Sequence, residues 1–111
     1  MPEEFIISGW MDYGPHRDAV LGHFAAVALA SRAEPGCLDY TVCGDSENPG
    51  RVVVFERWES ESHLAAHFRT AHIDRFRSAI DPYPRTGRNI RRYFVSRSED
   101  FQSSRVTADQ V

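Results

Sequence analysis

The stretch Arg51-Val52-Val53-Val54-Phe55-Glu56-Arg57-Trp58-Glu59 is the strongest strand signal in the chain. Its β-branched and aromatic residues suit a pleated, half-buried surface, and a period of two puts Val52, Val54, Glu56 and Trp58 on one face. A carboxylate on that apolar face is the first sign of chemistry. After it the pattern turns helical: Ser60 or Ser62 can cap a helix running to about His72, with Asp74 to Ile80 as a broken extra turn or two. Asp81-Pro82-Tyr83-Pro84 ends all helix.

Moving outward, Asp45-Ser46-Glu47-Asn48-Pro49-Gly50 reads as a tight hairpin connection to a preceding strand in which Leu38, Tyr40 and Val42 alternate with Asp39, Thr41 and Cys43. Before it, Val20, Leu21, Phe24, Val27 and Ala28 recur at helical spacing between Pro15 and Pro35-Gly36, so a helix is predicted from His16 to about Ala33. Residues 4–11 form a first strand closed by Asp12-Tyr13-Gly14-Pro15, and Ile90 to Val95 supplies the last. The order β-α-β-β-α-β is the ferredoxin-like split unit, an α+β fold with a four-stranded antiparallel sheet and helices on one face, over residues 1–97. Residues 98–111 form a polar, aperiodic tail, either disordered or an arm that orders on a partner. By alternation Val53, Phe55 and Phe94 point away from the helices and are too apolar to stay wet. A second copy of the sheet is the economical lid, so a homodimer is expected.

The 111 residues make about one domain. No apolar run approaches the roughly 20 residues of a membrane span, and Met1-Pro2-Glu3-Glu4 carries acid where a secretory leader carries base, so a cytoplasmic protein without membrane contact is expected. Cys37 and Cys43, six steps apart on one strand, lie nearly ~20 Å from each other and are expected as free thiols. The net charge of −3 leaves no general basic field, and the cluster Arg85, Arg88, Arg91 and Arg92 is not extended into a groove-binding face; no nucleic-acid partner is expected. There is no glycine-rich phosphate loop and no Cys-x-x-Cys motif. His63 and His67 have the i, i+4 spacing of metal ligands, but no Cys or carboxylate obviously joins them, so no metal and no other cofactor is expected.

Pro35-Gly36-Cys37-Leu38-Asp39-Tyr40, Phe55-Glu56-Arg57-Trp58-Glu59-Ser60 and His63-Leu64-Ala65-Ala66-His67-Phe68-Arg69-Thr70-Ala71-His72 together resemble the antibiotic biosynthesis monooxygenase family, which includes quinol monooxygenases. The resemblance runs over roughly residues 3–96 and is most specific from Glu56 to His72. It implies a dimeric α+β barrel, often without metal or flavin. Val54 stands where polyketide-modifying members tend to carry Asn, and Ser8 is the small polar residue nearest the strand-one Asn of haem-degrading members.

On a helical wheel Leu64, Phe68 and Ala71 form an apolar stripe with His67 and His72 at its edges and His63 further toward solvent. His67 is either an edge imidazole with hydrated nitrogens or a base suited to a phenol or quinol. Glu56 is either a buried carboxylate paired with an arginine or histidine, or the group that orients His67; the second reading is adopted. Trp58, Phe24 and Leu64 would hold an aromatic ring, with Val54 and Phe68 as further lining, and Tyr40 or His72 would stabilise a developing negative oxygen. The expected activity is a cofactor-independent monooxygenase in which a quinol or phenolic, polyketide-type aromatic reacts directly with molecular oxygen. The alternatives are a non-catalytic dimer binding a small aromatic or haem, and an isomerase using the same base without oxygen.

Overall fold

A computed structural model describes residues 3–102. Strand β1 (Phe5–Asp12) leads through a 3-10 turn (Gly14–His16) into α1 (Arg17–Arg32), followed by β2 (Cys37–Gly44), β3 (Arg51–Trp58), α2 (Glu61–His67), α3 (Ala71–Ile80) and β4 (Gly87–Phe94). The four strands form one sheet in the order β2-β3-β1-β4, every pair antiparallel. This is the ferredoxin-like α+β fold expected from the pattern. No helix among the described residues is long and apolar enough to cross a membrane. Cys37 and Cys43 are both free thiols on β2. Of the tail, residues 103–111 lie outside the described residues.

The second helical segment departs from expectation. Instead of one helix to about His72 with a trailing turn, there are two helices, and the second is the longer. Ser60 is the cap of α2, its hydroxyl accepting from the His63 backbone N–H. Thr70 makes the break: its hydroxyl donates to the His67 carbonyl at 2.8 Å and accepts from the Ile73 N–H, closing α2 and capping α3 with one side chain. The expected stripe of Leu64, Phe68 and Ala71 therefore does not form; Leu64 is buried, whereas Phe68 and Ala71 are exposed.

Strand β4 starts earlier than predicted, at Gly87, because it pairs with β1 over the whole of that strand and needs only backbone groups to do so. Its register also reverses one expectation. Phe94 lies opposite Phe5, which is fully buried on the helix side, so Phe94 faces the same way as the helices and not away from them. The face that the described residues leave uncovered is carried instead by Ile6, Trp10, Val53, Phe55 and Tyr93, with the Asp12–Arg51 and Glu4–Arg57–Asp39 ion pairs at its ends.

On the covered side, α1 packs across β2 and against α3, and the interior divides in two. One cluster gathers Phe5, Val27, Ala28, Tyr40, Trp58, Leu64 and Ile73; the other gathers Met11, Tyr13, Val20, Phe24, Val52 and Val54. The candidate site lies where they meet.

Candidate active site

His67 is the last residue of α2, and only 2% of it is exposed. Its ring is wedged against Trp58, with centroids 4.8 Å apart, and against Phe68 at 5.3 Å and Tyr40 at 5.8 Å. A buried imidazole needs a polar partner, and it has one from a distant part of the chain: Nδ1 lies 2.6 Å from Oε2 of Glu34. Glu34 is held there by the end of α1, where its N–H bonds the Ser31 carbonyl, and by Gly36, whose φ of +80° turns the chain into β2. A side chain at Gly36 would be strained at that φ and would run into the ring of His63, which packs there and bonds the Ser60 hydroxyl at 2.7 Å.

Burial pulls the His67 pKa below that of a free imidazole, and the Glu34 hydrogen bond opposes this without overcoming it. The ring is therefore neutral near pH 7, and the 2.6 Å contact is an Nδ1–H donating to a carboxylate. Nε2 is left as the nitrogen with a lone pair to offer.

A cavity of about 160 Å³ opens beside that ring. Its walls are Ile7 and Met11 of β1, Phe24 of α1, Tyr40 of β2, Val54 and Glu56 of β3, His67 and Phe68, the α3 residues Ile73, Phe76 and Arg77, and Ile90 of β4. Most of these are apolar, and the polar groups are few and convergent. Glu56 is 8% exposed, and burial raises its pKa to about 7, with the Trp58 hydrogen bond opposing and the charge of Glu34 adding to the rise. Tyr40 is also pushed well above a free phenol, first by burial and then by the charge of Glu56, so its hydroxyl stays a donor.

Of the residues singled out in the sequence, Phe24, Tyr40, Val54, Glu56, His67 and Phe68 line this cavity. Trp58 and Leu64 do not. Trp58 is fully buried behind the wall, where its indole N–H donates to Glu56 at 3.0 Å. Glu56 thus supports the indole; the group orienting His67 is Glu34, and the expectation that Glu56 does so is corrected. His72 stands on the far side of Glu34, its Nε2 3.3 Å from the same Oε2, in a groove between α1 and α3 outside the cavity lining.

Sequence reasoning missed Glu34 and Arg77, and it paired the wrong histidines. His63 is turned to Ser60, whereas a carboxylate does join His67 and His72, with ligand-capable atoms of all three within 4.8 Å. Two ligands of one tetrahedral ion are about 3.3 Å apart, so the 2.6 Å approach of Glu34 to His67 has the length of a hydrogen bond rather than a shared metal.

The sequence profile described as antibiotic biosynthesis monooxygenase matches residues 14–79. The "Probable quinol monooxygenase YgiN" of Escherichia coli is 36% identical over 73 residues, spanning 59% of this chain and 70% of that protein. Among solved structures, a "putative antibiotic biosynthesis monooxygenase" from Deinococcus radiodurans superposes with a TM-score of 0.77 at 22% identity, covering 88% of this chain and 98% of the other. PA3566 from Pseudomonas aeruginosa does so with a TM-score of 0.73 at 23% identity, covering 86% and 95%. At these identities the structural likenesses speak to the fold alone. The matched profile spans more than half of the chain and contains Glu34, Tyr40, Glu56, His67 and His72, and with it the chain belongs to the antibiotic biosynthesis monooxygenase family, a membership that supports a monooxygenase-type function.

Proposed function

We propose that the protein is a cofactor-independent monooxygenase acting on a one-ring quinol or phenol, with His67 as the base. The observation that carries this reading is a nearly inaccessible imidazole with its Nδ1 2.6 Å from a Glu34 oxygen and its ring in the wall of a mostly apolar cavity. Triplet oxygen reacts slowly with closed-shell organic molecules, and a phenolate gives up an electron far more readily than a phenol. Removing one proton is therefore the step a protein without redox groups can contribute. His67 Nε2 takes that proton, and the Tyr40 hydroxyl and the Arg77 guanidinium face the charge left on the substrate oxygen. The balance closes without another reductant: quinol plus oxygen gives hydroxyquinone plus water, with both electron pairs drawn from the substrate.

Size favours one ring over several. A dry cavity of roughly 150 Å³ holds benzene, and this one measures about 160 Å³. Fused polyketide rings would exceed that volume. We also propose that the open face carrying Trp10, Phe55 and Tyr93 seats a second copy of the chain.

Glu56 favours a second reading. A carboxyl near its midpoint at neutrality, in the same cavity as a base, suits an isomerase that moves a proton without oxygen. Incubation with benzoquinol and with two- and four-ring analogues, in air and under argon, separates the two. Oxygen uptake with hydroxyquinone formed only in air is expected, greatest for the single ring. Equal product under argon would establish the isomerase instead, and no uptake with any of these compounds would remove the oxygenase.

A further inference from the structure

A base with 2% of its surface exposed has to hold the substrate's proton while oxygen is reduced, and the side chains lining its cavity are mostly apolar. The other end of its hydrogen bond leads outward. Glu34 Oε2 lies 2.6 Å from His67 Nδ1 and 3.3 Å from His72 Nε2, so one oxygen stands between the two rings. His67 lines the inner cavity, whereas His72 lines the separate groove between α1 and α3 with His23, Ala26, Arg75 and Phe76. His72 Nε2 is shut from solvent and makes no hydrogen bond among the described residues, although a fifth of the side chain is exposed. A buried, unpartnered ring nitrogen is costly and calls for an explanation. A proton delivered intermittently by Glu34 supplies one.

We propose that Glu34 and His72 form a proton path that connects His67 to solvent through the groove between α1 and α3. The proposal rests on His67 acting as the base. When Nε2 takes the substrate proton, Nδ1 releases its own to Glu34 Oε2, the carboxyl passes it to His72 Nε2, and the opposite nitrogen of His72 loses one to groove water. The ring regains its first tautomer when Nε2 gives its proton to the reduced oxygen and one returns to Nδ1 by the same path. The charged and titratable groups facing this chain are Arg77, Glu56 and Tyr40 on the cavity side, Cys37 near Glu34, and Arg75 and His23 on the groove side. Arg77 disfavours a lasting imidazolium at His67, which favours onward passage. Glu34 and His72 are on this reading relay groups and do not touch the substrate.

The test compares wild type, His72→Ala and His67→Ala, with benzoquinol as substrate, in dilute non-titrating buffer and again with added imidazole. His72→Ala is expected to lower kcat roughly tenfold or more with KM unchanged, and imidazole, small enough to enter the groove, to restore most of it without affecting wild type. A His72→Ala protein with wild-type kcat in dilute buffer, or a lowered kcat that imidazole does not move, overturns the path. Full turnover by His67→Ala instead overturns the role of the base. Should His72→Ala not fold, His72→Gln fills the same space without titrating, and a wild-type kcat in that variant overturns the path. A readout independent of turnover is the exchange of the His67 Nδ1 proton with water, followed by NMR. The path requires that exchange to slow at least several-fold in His72→Gln, and an unchanged rate overturns it.

Discussion

On the helix side of the sheet the buried polar groups beside the cavity are paired, Trp58 with Glu56 and His67 with Glu34, whereas on the other side the ionic groups sit at the margins and the centre is left to Ile6, Trp10, Val53, Phe55 and Tyr93. The same four strands therefore present two apolar surfaces, one closed by the chain's own helices and the other left bare by the described residues. The difference teaches where each proposed role belongs: the proposed chemistry where water has been removed and charges are worth more, and the proposed contact with a second copy where the described residues leave carbon uncovered. Each substitution below attacks one side and asks whether the other responds.

The largest effect belongs to His67→Ala. General-base removal costs about 10²–10⁴ in rate, and here the loss should fall on kcat with the fold retained, because the side chain lies beside existing empty space. Circular dichroism and a thermal melt establish folding, and an oxygen electrode reads turnover. A folded variant with undiminished uptake would remove the contrast between a working face and a docking face.

Glu56→Gln comes next. The folded pKa of about 7 lies above the ordinary 4.5, so between these values the folded chain holds a proton that the unfolded chain releases, and stability falls as pH rises through that window. Fully developed above it, the penalty is on the order of 3 kcal/mol. Gln keeps an oxygen for the Trp58 N–H and carries no charge. The variant should match wild type at acid pH and exceed it in urea midpoint at pH well above 7; an equal difference at both extremes would show that the carboxyl is not held by burial.

Trp58→Phe probes the same pair from behind the wall. It leaves Glu56 without its 3.0 Å donor, which costs roughly 1–3 kcal/mol and drives the carboxyl midpoint further up. Unfolding measured at acid pH, where Glu56 is protonated, should show a smaller loss than at alkaline pH. A loss independent of pH would reduce the indole to packing alone.

How much of this was legible in the sequence follows from the range of each interaction. The strands were readable because Val52, Val54, Glu56 and Trp58 alternate, and α1 was readable because Val20, Phe24 and Val27 recur at its own period. The break between α2 and α3 was not, since a threonine hydroxyl outcompeted helical continuation at a position where periodicity alone favours it. His67 could be singled out as an edge position, but its partner could not: Glu34 lies 33 residues away, and no spacing rule joins a helix stop to the end of another helix. Glu56 was recognisable as a carboxylate on a buried face. That its partner is the indole two residues on depends on the side chains, which alternation leaves open. Phe94 was assigned to the wrong face because the register of an edge strand is set by its neighbour β1, not by its own composition.

Phe55→Arg should disturb the fold least. Phe55 is 36% exposed, faces away from both core clusters, and lies opposite Ser8 and Thr41 on the neighbouring strands, so no cavity forms and no buried partner is lost. The melting free energy of the protomer should shift within about 0.5 kcal/mol, as for surface substitutions generally. Assembly should respond instead, because an arginine at the centre of an apolar face, with Arg51 and Arg57 on the same strand and face, sets like charges from two copies against each other. Sedimentation is expected to show a wild-type mass of twice 12.6 kDa and a variant mass of 12.6 kDa. A wild-type chain that sediments as a single copy at high concentration would mean the bare face serves something other than its own kind. A variant that becomes a monomer yet keeps its turnover would show that the two faces of the sheet work independently, since nothing lining the cavity belongs to the open one.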